Sequence, residues 1–99
     1  MAAVPLSQET KWRLELLFDA EEAVVAADLL TNECGSNLPF CENCSPLELE
    51  RIRFAALKCS VGHLDRLLEA IELAQQDWRD LLMAAGFGED VKAHRRWLR

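Results

Sequence analysis

The stretch LDRLLEAIELA constrains this chain more than any other, because Leu64, Leu67, Leu68 and Ile71 fall at i, i+3, i+4 and i+7, with Ala74 continuing the row. At 100° per residue these positions form one apolar stripe on a helix, whereas a strand would divide them between two faces. The stripe needs an apolar partner. No other run shows strand-like alternation, so the partners are expected to be helices as well.

Ser45-Pro46-Leu47-Glu48 marks where one of them begins. Serine can cap, proline is pre-set for the first helical position, and Glu48 at the third can return a bond to the cap. The helix should run through LERIRFAALK to Ser60, with Gly62 permitting a turn into the Leu64 helix. Near Gln76 the pattern meets DWRD, which either continues that helix or caps a short new one over WRDLLMAA. Gly86 reads as a left-handed stop, and EDVKAHRRW as a last short helix after Gly88.

At the N-terminal end, Ser7 can cap a helix that carries Gln8 and Glu9 in its first turn and is expected to reach about Asn32. Its main apolar face would hold Leu14, Leu17, Phe18, Val24, Val25 and Leu29, with Glu15, Asp19 and Glu22 as a polar stripe. Glu21 and Asp28 then fall within the apolar face, where a carboxylate is costly unless paired. Arg51, Arg53 and Arg66 are the expected partners. Residues 33–45, with Gly35, Pro39 and two asparagines, read as a loop. The expectation is a single all-α domain over 1–99: a small four- to five-helix bundle with one long loop at about 33–45.

The chain is 51% hydrophobic over 99 residues, enough for one core. Neither a secretion signal nor an apolar run of membrane-spanning length is evident, so the default expectation is a soluble cytoplasmic protein with Cys34, Cys41, Cys44 and Cys59 reduced. The net charge of −6 is divided unevenly: residues 1–50 hold ten acids and two bases, and residues 51–99 hold seven acids and nine bases. Such an acidic balance makes nucleic-acid binding an unlikely role for the whole domain.

Read as text, Cys41, Cys44, Cys59 and His63 have the spacing of a zinc site. An unbroken helix from Ser45 opposes it, since at 1.5 Å per residue Cys59 would stand roughly 20 Å from Cys44. Cys34, Cys41 and Cys44 share one loop and form the alternative loop zinc site, with water, Glu33, Glu42 or His94 as a fourth ligand. A redox reading of Cys41-x-x-Cys44 has a helix start beside it but lacks the βαβ setting of thioredoxin-like motifs. The plainer expectation is a loop with incidental thiols, no metal and no cofactor.

No nucleophile–base pair, phosphate loop or Glu-x-x-His pair emerges, so no catalytic residue is assigned and the chain is expected not to be an enzyme. His63 reads as a surface or hydrogen-bonded residue, and His94 as the local partner of Asp90 one turn earlier. The C-terminal VKAHRRWLR carries Lys92, Arg95, Arg96 and Arg99 around Trp97 and contains no acid. It suits either a protein partner or self-docking on residues 15–33, which hold six acids and no base. No motif is specific enough to assign a family. These features point to a protein–protein interaction or adaptor domain, partnered or homodimeric, with Arg95, Arg96 and Trp97 as its candidate contact residues.

Overall fold

The computed structural model describes residues 4–35, 37–39, 41, 44–88 and 93–98, and the side chain of Arg95 lies outside that description. The order is α1 (Gln8–Leu17), α2 (Ala20–Glu33), α3 (Pro46–Ser60), α4 (Leu64–Ala85) and the single turn α5 (Ala93–Arg96). The described residues contain no strand, and the fold is all-helical.

The starts obey local rules. Ser7 Oγ accepts from the Thr10 amide at 3.2 Å, and Ser45 Oγ accepts from the Glu48 amide at 3.1 Å, with Pro46 inside the first turn. α3 ends at Val61 in the left-handed region. The turn into α4 then passes Gly62 at φ +77°, where a Cβ would lie 2.9 Å from the Leu17 carbonyl oxygen. Glycine is needed there on two counts, backbone angle and space. Gly86 stops α4 as expected, its amide donating to Met83 while Phe87 donates to Leu82. Asp77 resolves the choice at DWRD: it leaves helical geometry (φ −162°, ψ 106°), kinks α4, and accepts from the Arg79 amide at 3.0 Å.

One expected helix is two. Phe18 is extended at φ −122°, and Asp19 caps α2 by accepting from the Glu22 amide at 2.8 Å. The break resets the helical phase, so α2 turns Ala26 and Leu30 inward and leaves Val24 and Val25 63% and 48% exposed. Glu21 and Asp28, placed on an apolar face by an unbroken helix, are therefore exposed and need no buried partner.

The α3–α4 hairpin forms the centre, with α1 and α5 packed on α3 and α2 on α4 and α1. Ile52, Phe54, Ala55, Ala56 and Leu57 of α3 are fully buried, opposite Leu67, Ile71, Ala74 and Leu81 of α4. Leu68 departs from the expected seam and is 45% exposed. Among the described residues of the connection between α2 and α3, Leu38 and Cys41 are buried and the Gly35 amide donates to Asn37 Oδ1, while Gln75 reaches the Glu33 carbonyl at 3.0 Å.

Candidate functional site

Several of the basic side chains hold the fold together. Arg53, only 2% exposed, donates to the carbonyls of Cys34 (2.9 Å), Pro5 (3.2 Å) and Val4 (2.8 Å), tying the N-terminal segment to the end of α2. Gly35 admits it, since a Cβ there would come within 2.9 Å of Nη2. Arg51 donates to the Phe87 carbonyl through both Nε and Nη2, and Lys58 to that of Ala85 at 2.8 Å. Arg13, fully buried on α1, reaches the Trp97 carbonyl at 2.8 Å and lies 4.3 Å over the Phe54 ring. A guanidinium has five donors in a fixed fork, so one side chain can gather carbonyls from segments distant in sequence. The expected pairing of Arg51 and Arg53 with Glu21 or Asp28 is thus replaced by backbone carbonyls.

The C-terminal turn docks on its own domain, as self-docking anticipated, but on a different surface. His94 is buried and its Nε2 lies 3.0 Å from Glu50 Oε1, itself on a side chain 6% exposed. The His94 ring stands edge-on to Phe54 at 5.0 Å, and Trp97 does so at 6.2 Å. Trp97 is half-buried against the core and Arg96 is exposed, whereas Lys92, Arg99, Asp90 and the Arg95 side chain lie outside the described residues. His63 is exposed at the start of α4 and makes no capping bond. Glu50 and Arg53 also border a depression of about 590 Å³ lined by Val4, Ser7, Thr10 and Leu47, in which the Ser7 and Thr10 hydroxyls are 2.8 Å apart. The Glu50–His94 pair was not legible in the sequence, since 44 residues separate its members.

Cys41 and Cys44 form a disulfide, a correction to the expectation of four reduced thiols. In this state neither offers a thiolate to a metal. Cys34 is fully buried, and burial pushes its thiol up to about 12 while the nearby Arg53 charge offsets part of the rise. Cys59, half-buried, is raised for the same reason. Among the described residues no group of three or more His, Cys, Asp or Glu is arranged to hold a metal ion. No described helix is long and apolar enough to cross a membrane.

A second depression is an open trough of about 500 Å³ between α1 and α2. Leu14 and Phe18 floor it; Lys11, Glu15, Ala23 and Val24 are among its walls. Lys11, Leu14, Glu15 and Phe18 on α1, and Ala20, Ala23, Val24 and Ala27 on α2, each follow i, i+3, i+4, i+7, so two helical stripes meet along it. Alanine on the α2 side leaves the space unfilled. Sequence reasoning missed this surface because it treated residues 8–32 as one helix. Comparison with protein-family models, curated protein sequences and solved structures finds no match for the chain.

Proposed function

We propose that this chain is a small non-enzymatic helical interaction or adaptor domain. The observation that supports the reading is the open trough between α1 and α2, floored by Leu14 and Phe18 and walled in part by Val24, which is 63% exposed. Surfaces of this kind, with apolar residues inside a polar rim, belong to binding faces more often than to solvated ones. The C-terminal turn supplies a second surface, on which Arg95, Arg96 and Trp97 are the contact candidates. Trp97 contributes only its outer part, since it also packs on Phe54.

Two measurements test this. Native mass spectrometry of freshly purified chain reports oligomeric state and bound metal together, and a photo-crosslinker at position 24 or 96 captures partners in an extract of the native host. The expected result is either a dimer mass or a discrete adduct competed by unlabelled chain, with R95A/R96A weakening the adduct formed at 96. A monomer that yields no competed adduct from either position overturns the reading, and stoichiometric zinc would transfer it to the loop cysteines.

A further inference from the structure

Building on the interaction reading, we infer that the α1–α2 trough seats an amphipathic helix of a partner protein that carries lysine or arginine along its polar edges. The trough fits the apolar edge of a helix: it is open, floored by Leu14 and Phe18, and bounded by two helical stripes. Helix-in-groove recognition reads apolar anchors at i, i+3, i+4 and i+7, the same spacing that builds these walls.

Charge selects the occupant. Glu15 stands on the α1 wall, and on α2 Glu21 and Asp28 flank the Val24 side of the stripe, seven residues or about 10 Å apart along the axis. Glu15, Glu21 and Asp28 make no ion pair among the described residues. Five cations are engaged elsewhere, since Arg13, Arg51, Arg53 and Lys58 hold backbone carbonyls and Arg79 pairs with Asp77 at 2.8 Å, while Arg66, the third expected partner, is exposed on α4 and makes no ion pair with Glu21 or Asp28. Lys11 is the one base among the lining residues. A second copy laid face to face would set Glu15, Glu21 and Asp28 against themselves, whereas a helix with cations about two turns apart along one edge complements them.

The test uses two synthetic 14-residue helices with the same leucine pattern, one with lysine and one with glutamate at its polar positions. Each is titrated into the 15N-labelled full chain. The lysine helix should bind with amide shifts concentrated between residues 11 and 27, at least tenfold more tightly than the glutamate helix. V24D, at an exposed position, should retain the native spectrum and lose at least tenfold in affinity. Equal affinity for the two helices, shifts centred outside 11–27, no binding of the lysine helix, or a dimer that depends on Val24 each overturns the inference. A crosslinked partner at position 96 alongside a silent trough would sink the trough and leave the interaction domain standing.

Discussion

α2 and α3 are similar in length, fourteen and fifteen residues, and α2 is the more apolar in sequence, yet they lead opposite lives. α3 buries nine residues, including Glu50 and Arg53, while α2 buries only Ala26 and Leu30. Composition does not explain this. What separates them is whether the polar side chains can be satisfied inside: Arg53 reaches three carbonyls and Glu50 reaches His94, so α3 can be surrounded. α2 carries Glu21, Glu22 and Asp28, which make no ion pair among the described residues, and carboxylates of this kind stay in water. The central helix is thus the one whose charges find partners, and the open helix is left with a face to offer.

The contrast can be broken most forcefully at Arg53. Arg53→Leu keeps a shorter apolar side chain but strips three carbonyls of a charged donor, and leaving such buried groups unmet costs on the order of 3–5 kcal/mol in total. Urea unfolding measures it. A loss under about 1 kcal/mol, the size of an ordinary surface change, would erase the distinction between α3 and α2.

A smaller effect is expected where the two helices meet the Arg53 contact, at Cys34. Its folded pKa is raised, chiefly by burial, so the folded chain keeps a proton that the unfolded chain gives up. Its contribution to stability is full below the unfolded value, near 9.0, and declines as pH rises toward about 12. Alkaline unfolding should therefore steepen above pH 9, and C34A should flatten that limb; an identical limb in the variant would count against the buried thiol. Thiol reagents should label Cys59 first and Cys34 only on unfolding, with Cys41 and Cys44 appearing after reduction. The smallest effect belongs to α2: V24D should change stability by no more than about 0.5 kcal/mol, because the side chain already faces water. A larger loss in the same urea assay would mean that the α2 face is covered.

What was legible in the sequence was what neighbouring residues decide. Ser7, Ser45-Pro46, Gly62 and Gly86 announce their turns through bonds that close within four residues, and the Leu64 stripe announces its helix. The break at Phe18 was also local, and its signal was present: Asp19 followed three residues later by Glu22 is a helix start. It was overlooked because apolar periodicity runs plausibly through it. Arg13, Arg53 and His94 were illegible for a different reason. Their partners lie 84, 49 and 44 residues away, at Trp97, Val4 and Glu50, and a main-chain acceptor leaves no mark in the sequence. The trough suffered from both, being a product of the missed break and of cations drawn elsewhere.

The arginine-to-carbonyl contacts carry a consequence for how this chain tolerates change. Every peptide unit presents a carbonyl whatever its side chain, so the polar contact places no demand on residue identity at Val4, Pro5, Cys34 or Trp97. The demand falls wholly on the donors. Substitution should be lopsided, with Arg13 and Arg53 nearly immutable while the segments they fasten drift within the limits of packing, and a variant library scored for folding would reveal the fasteners before it revealed what they fasten.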